Sequence, residues 1–254
     1  MNKSGKIRVG AVSYLNTKPL VYGFEQGLMK DEIELINDYP SRIAAMLLND
    51  EIDVGLVPVA IIPEMEQFHI ISDYCIGAEG EVSSVCLFSE TPLENVTQVL
   101  LDYQSRTSVA LTKILLREYW KISPELIDAG EDFREQIKHT TAGLVIGDRA
   151  LQQRTISPYI YDLGTAWKAH TGLPFVFAAW ISNRSLEHKF MAAFNEANKV
   201  GLDNIDEIVR LHPYPIFDLK KYYTSSIDYC LTREKQKGMQ LFLKKLPAFE
   251  LGSY

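Results

Sequence analysis

Residues 7–20 read IRVGAVSYLNTKPL, and this stretch decides the fold class. The apolar run 7–12 predicts a buried strand, and Pro19 is typical of the first turn of a helix. A polar turn, residues 13–18, lies between them. A strand, a turn and a helix in this order begin a parallel βαβ unit. The stretch therefore predicts an α/β protein.

The same alternation continues after residue 20. Apolar runs at 33–36 and 53–59 predict two more strands, and Pro40 with the apolar face of residues 43–48 predicts a helix between them. From residue 185 onward the pattern is mostly helical. Between these regions, strand-like runs cover 70–76, 82–89, 96–102, 144–148 and 174–181, and a helical spacing covers 105–119.

The order of these segments predicts two lobes with a ligand cleft between them. A second set of strands and helices begins near Ser89, and the strands near residues 85 and 178 are expected to cross between the lobes. The first lobe would then be discontinuous and comprise residues 1–88 and 178–254, and the second would comprise residues 89–177. Two crossings form a hinge that suits closure on a ligand.

Composition excludes several classes of function. The 254 residues are 46% hydrophobic, which favours a folded core over disorder. A net charge of -7 argues against nucleic acid as a partner, because no general basic field exists. We expect no membrane-spanning segment, since no apolar stretch approaches about 20 residues. The N-terminus has no secretory pattern, which predicts a cytoplasmic protein.

Two polar turns are candidate sites for anionic groups. Each follows a predicted strand and begins a predicted helix, where unpaired backbone N–H groups and the helix dipole attract carboxylates. Serine and threonine at such positions act either as ligands or as simple helix caps. One turn in each lobe would suit a small molecule with two acidic ends. The candidates are Ser13, Tyr14, Asn16 and Thr17 in the first turn and Ser105, Arg106, Thr107 and Ser108 in the second.

Two further polar spots lie near predicted strands. Ser83 and Ser84 belong to the run 82–89, and alternation along a strand allows only one of them to face the cleft. Gly147 and Asp148 end the run 144–148, where the carboxylate either reaches the cleft or caps the next segment.

The sequence gives no support for a metal or a nucleotide cofactor. The five histidines share no spacing on one helix face, and the three cysteines form no Cys-x-x-Cys pair. Glycine-rich phosphate loops and the Gly-x-Ser-x-Gly elbow are also absent from the sequence. We therefore expect a site that uses neither a metal nor a cofactor.

The opening motif SYLNTKPL, residues 13–20, resembles that of the chorismate dehydratases of the futalosine route to menaquinone. Other stretches resemble blocks of that family in the same order, so the resemblance covers roughly residues 7–181. It implies a two-lobed fold like that of the type II periplasmic binding proteins. The supporting blocks are 52–60, 83–85, Asp102 with 105–108, 144–148 and 171–178.

The resemblance also implies a reaction, the loss of water from chorismate to give 3-[(1-carboxyvinyl)oxy]benzoate, which makes the family a carbon–oxygen lyase. Chorismate is a dicarboxylate, in agreement with the two turns. The family picture implies that the substrate's own enolpyruvyl carboxylate removes the proton. On this hypothesis Asn16 and Ser84 lie nearest the reacting carbons, and Ser105, Thr107 and Ser108 bind a carboxylate.

Two other functions fit the same pattern. The sister enzyme of the pathway, which forms 1,4-dihydroxy-6-naphthoate, shares the fold, although its opening motif differs from SYLN at residues 13–16. A non-catalytic module that binds small anions is the second, because closing lobes hold many anions without changing them.

Overall fold

The computed structural model describes residues 5–246, which form two β-sheets flanked by helices. No helix in this range is long and apolar enough to cross a membrane. The strands are β1 Ile7–Val12, β2 Ile33–Asp38, β3 Val54–Pro58, β4 His69–Ala78, β5 Val85–Ser89, β6 Gln98–Leu101, β7 Glu125–Asp128, β8 Thr141–Ile146, β9 Tyr159–Asp162, β10 Phe175–Ser182 and β11 Asp228–Cys230. The helices are α1 Lys18–Glu25, α2 Pro40–Leu48, α3 Arg106–Leu115, α4 Asp148–Gln153, α5 Leu163–Thr171, α6 His188–Leu202, α7 Ile205–Leu211, α8 Leu219–Lys221 and α9 Arg233–Lys245.

The first sheet has the strand order β11-β4-β10-β3-β1-β2 within the described residues. Strand β1 pairs in parallel with both β2 and β3, as the N-terminal pattern predicts. Strand β10 lies antiparallel between β3 and β4. Since the carboxyl ends of β1 and β3 lie at one edge, the polar turn after β1 points to that edge.

The second sheet is built from the middle of the chain in the order β7-β6-β8-β5-β9. Strand β6 is parallel to β7 and β8, and β5 is antiparallel to β8 and β9. Strands β7 and β9 were not among the predicted runs; both are short, and much of their length is solvent-accessible. The turn that begins α3 follows β6 and therefore lies at the carboxyl end of its strand.

The chain passes between the two sheets next to the strands near residues 85 and 178, not within them. Val85–Ser89 pairs only with strands of the second sheet, and Phe175–Ser182 only with strands of the first. Each strand is hydrogen-bonded to neighbouring strands of a single sheet. The chain therefore passes from one sheet to the other in the segments outside the strands, residues 79–84 and 172–174. The division into lobes remains a proposal, with the second lobe moved from 89–177 to 85–171.

Helices α1 and α6 pack so closely that glycine is required between them. A Cβ atom added at Gly201 would lie 1.8 Å from the carbonyl oxygen of Pro19, and one at Gly23 would lie 2.1 Å from that of Ala197. Both obstacles are backbone atoms, which cannot rotate away. This contact holds α1, the helix that follows the polar turn, against the first lobe.

We expect Gly201→Ala to lower the free energy of unfolding by about 1–3 kcal/mol, because the added methyl group forces two helices apart. Urea unfolding monitored by circular dichroism measures the change. Gly130→Ala is the matched control, since a Cβ there meets nothing within 4 Å. Equal stabilities for the two variants would contradict the close packing.

Candidate active site

A cavity lies between the two sheets, with about 470 Å³ of space between protein atoms, including its mouth. Its walls are mostly apolar and carry a few polar groups, as is usual for small-molecule sites. The first lobe contributes Val12, Tyr14, Asn16, Pro40, Pro58, Ile76, Phe177 and Ala178, and the second lobe with its connection contributes Val82, Ser84, Val85, Ser105, Ser108, Ile146 and Gly147.

Six residues singled out in the sequence are brought together here. They come from four separate stretches of the chain, and each stretch follows or precedes a strand. The six are Tyr14, Asn16, Ser84, Ser105, Ser108 and Gly147. The other predicted residues, Ser13, Thr17, Ser83, Arg106, Thr107 and Asp148, lie outside the lining.

The first polar turn is a single 3₁₀ turn, Leu15–Thr17, between β1 and α1. Tyr229 fixes its backbone, because the tyrosine hydroxyl donates a 2.8 Å hydrogen bond to the carbonyl oxygen of Asn16. Thr17 is fully buried and donates to Oδ1 of Asn16 at 3.3 Å. Ser13 is exposed. The turn therefore presents the Asn16 amide to the cavity and directs Ser13 to solvent.

In the second polar turn, Ser105 is the N-cap of α3. Its Oγ accepts a 3.2 Å hydrogen bond from the Ser108 N–H and lies 3.0 Å from the Ser108 Oγ. Both serines also line the cavity, so capping and ligand binding are compatible here. Two hydroxyl groups at the start of a ten-residue helix form a suitable place for a carboxylate.

Thr107 and Arg106 face other partners. The Oγ1 of Thr107 accepts a 3.1 Å hydrogen bond from the Ala60 N–H and so joins the two lobes. Arg106 is exposed and forms an ion pair with Glu64 at 2.5 Å. Their positions on α3 turn both side chains away from the cavity, and their role in binding stays a prediction.

Ser83 and Ser84 form a turn, although the sequence pattern placed them in a strand; β5 begins only at Val85. The φ angle of Ser83 is +64°, which is incompatible with a strand. The Asp162 carboxylate stabilises this turn by accepting the Ser83 N–H at 2.8 Å and the Val82 N–H at 3.1 Å. Ser84 lines the cavity, whereas the Ser83 hydroxyl lies beside Ser226 at 3.0 Å.

Gly147 connects three parts of the site. Its φ angle is +63°, and a Cβ atom there would come within 2.9 Å of the Tyr14 ring. Its N–H donates to the carbonyl oxygen of Ser84 at 2.8 Å.

Asp148 begins α4, and its carboxylate accepts the Leu15 N–H at 3.1 Å. Burial raises the pKa of Asp148. Asp148 thus joins the lobes behind the cavity wall.

An ion pair between buried Asp102 and partly buried Arg149, which the sequence pattern did not reveal, supports this wall. Arg149 lies 2.7 Å from the Asp102 carboxylate, which also accepts the N–H groups of Gln104 and Ile146. Gln104 in turn accepts hydrogen bonds from Tyr14 and Arg149. Burial raises the pKa of Asp102, and the neighbouring guanidinium opposes that rise. Asp102 occurs in one of the quoted motifs, but no sequence signal distinguishes Arg149 from other surface cations.

The second missed element comes from the C-terminal part of the chain. Residues 222–226 form a single π-helical turn between α8 and β11. Tyr222, the first residue of that turn, is fully buried and donates a 2.6 Å hydrogen bond to the Ser84 Oγ. Burial raises the pKa of Tyr222, so its hydroxyl stays protonated.

Residues 5–246 contain no group of three or more histidine, cysteine, aspartate or glutamate side chains that would hold a metal ion. The expectation of a site that works without metal or cofactor stays a prediction. What the cavity offers chemically is a set of neutral hydrogen-bond donors and acceptors.

Comparisons with known proteins identify the family and the relatives of this chain. A family model described as menaquinone biosynthesis matches residues 7–248. A chorismate dehydratase from Thermus thermophilus is 27% identical over 94% of this chain and 94% of its own.

Solved structures confirm the expected fold. A protein from Archaeoglobus fulgidus superimposes with a TM-score of 0.77 at 15% identity, covering 98% of this chain and 100% of that one. The periplasmic aliphatic sulphonate binding protein from Escherichia coli gives a TM-score of 0.62 at 14% identity, covering 98% and 94%. The two-lobed α/β fold like that of periplasmic binding proteins is therefore confirmed.

Proposed function

Because this chain belongs to the menaquinone biosynthesis family, we propose that it is a chorismate dehydratase, which converts chorismate to 3-[(1-carboxyvinyl)oxy]benzoate and water in the futalosine route. The observation that carries the proposal is the shared cavity: Asn16 from one lobe and Ser105 and Ser108 from the other line the same space. Similarity to the Thermus thermophilus chorismate dehydratase supports the choice of substrate.

The two polar turns suit the two acidic ends of chorismate. One carboxylate fits the start of α3, where the hydroxyl groups of Ser105 and Ser108 and the helix dipole act together. The opposite end of the molecule then lies against the turn that contains Asn16. The apolar residues Val12, Ile76 and Phe177 give the ring a dry surface to pack on.

The reaction depends more on hydrogen-bond donors than on a strong base. The ring carboxylate activates the C3 proton of chorismate through the C1–C2 double bond, and the enolpyruvyl carboxylate of the same molecule takes that proton. The C4–O bond then breaks, a C3–C4 double bond forms and the ring becomes aromatic. The protein holds both carboxylates and stabilises developing negative charge with Asn16 and Ser84.

Incubation of the purified protein with chorismate, followed by mass spectrometry, tests the proposal. We expect a product with the mass of chorismate less one water and with the ultraviolet spectrum of a substituted benzoate. A matched preparation of Asn16→Ala shows whether a contaminating enzyme forms the product. Chorismate that binds but keeps its mass and spectrum would reject the dehydratase in favour of an anion-binding module.

A further inference from the structure

We propose that Tyr222 is a positioning residue for the dehydration: it donates its hydroxyl proton to Ser84, so that the Ser84 hydroxyl is left to donate its own proton into the cavity. The acceptor there is the departing C4 hydroxyl group of chorismate. The inference rests on the proposed function and adds to it the group that assists the leaving hydroxide.

The geometry of the two hydroxyl groups carries the inference. Tyr222 and Ser84 are both fully buried, and their oxygen atoms lie 2.6 Å apart. A buried hydroxyl must find a partner, and a serine hydroxyl both donates and accepts. Since the neutral phenol is the donor in this bond, the Ser84 Oγ is occupied as an acceptor. Its own proton is then directed to the cavity, which Ser84 lines.

Accepting a hydrogen bond also makes Ser84 a better donor. Hydrogen bonds in a chain polarise one another, and the effect is larger in a dry interior than in water. Tyr222 is not among the residues that line the cavity, so its effect on the reaction is transmitted through Ser84. Ser84 keeps its proton: the proton taken from C3 joins the departing hydroxide to form water, and no further reactant is needed.

Contacts between neighbouring residues hold the backbone on both sides of the hydrogen bond between Tyr222 and Ser84. The π-helical turn 222–226 reaches the serine pair twice, through Tyr222 to Ser84 and through Ser226 to Ser83, with 3.0 Å between the last two hydroxyl oxygens. Single π-helical turns occur often at functional sites. Ser83 adopts a left-handed conformation, which persists only where surrounding contacts enforce it. The contacts that enforce the strained backbone of Ser83 therefore also hold Ser84 in place.

Tyr222→Phe tests the inference, and Tyr223→Phe is its matched control. Tyr223 is the next residue, is also buried and packs against Tyr222 with its ring tilted, but its hydroxyl has no hydrogen-bond partner in the described part of the chain. We expect Tyr222→Phe to lower kcat for chorismate about 10-fold, as loss of one hydrogen bond predicts, with KM changed less than about twofold. Tyr223→Phe should match the wild type in both constants.

A double-mutant cycle shows whether Tyr222 acts through Ser84. In a Ser84→Ala background, Tyr222→Phe should have no further effect on the single-turnover rate constant, which does not depend on the fraction of folded protein. An unchanged kcat in the single variant, or an equal loss in both backgrounds, would overturn the inference while the wild type still dehydrates chorismate. A wild type without turnover overturns the proposed function and the inference together.

Discussion

Asn16→Ala is expected to slow the single-turnover conversion of chorismate by about 10²–10³-fold, the usual effect of removing one preorganised donor beside developing charge. Asn16 lines the cavity. The Tyr229 hydroxyl donates to its backbone carbonyl oxygen, and the Thr17 hydroxyl donates to its side-chain Oδ1. Its removal should affect the rate more than the affinity, because substrate and transition state share their carboxylate contacts but differ in charge distribution.

Rapid-quench measurement of the rate, with chorismate affinity from fluorescence titration, separates the two effects. Ser13→Ala is the control, since Ser13 belongs to the same turn but is exposed and lies outside the cavity lining. A normal rate in Asn16→Ala would remove Asn16 from the chemistry.

Asp102→Ala should lower the free energy of unfolding by about 3–5 kcal/mol, because it leaves a partly buried guanidinium without its counter-ion. The Asp102 carboxylate is fully buried, lies 2.7 Å from Arg149 and accepts the N–H groups of Gln104 and Ile146. All of these contacts are lost in the variant. Since Gln104 also holds the Tyr14 hydroxyl, we expect weaker chorismate binding as well.

Equilibrium unfolding in urea provides the measurement for Asp102→Ala. Asp128 offers a matched control, because it lies opposite Leu101 at the end of the neighbouring strand but is exposed. Its replacement by alanine should change stability by less than about 0.5 kcal/mol. Similar losses in both variants would show that the ion pair contributes nothing specific.

Local patterns were enough to predict most of the strands, the class of fold and part of the cavity lining. Residues 7–20 form a strand, a turn and a helix, as their pattern indicates. Asn16, Ser105 and Ser108 were found because each follows the carboxyl end of a parallel strand, Asn16 in the first sheet and the two serines in the second. Such positions are set by short stretches of chain, and a single sequence contains the information.

Contacts between distant parts of the chain could not be predicted from local sequence patterns. Tyr222 meets Ser84 across 138 positions, from a segment whose apolar spacing resembles an ordinary helix. A π-helical turn leaves no mark in a pattern with a period of 3.6 residues. Ser83 adopts a conformation typical of glycine, and the contacts that hold it there, such as those to Asp162 and Ser226, come from distant parts of the chain. Arg106 and Arg149 look alike in sequence, yet only Arg149 is turned inward.

The position of β10 between β3 and β4 matters while the protein is being synthesised. A nascent chain carries the facing edges of β3 and β4 unpaired until residue 182 has left the ribosome, and the outer edge of β4 stays unpaired until β11 follows. The second sheet, residues 85–162, is contiguous and completes itself first. Open strand edges invite pairing with other chains. Translation of residues 79–182 is therefore the interval in which chaperones have most to protect.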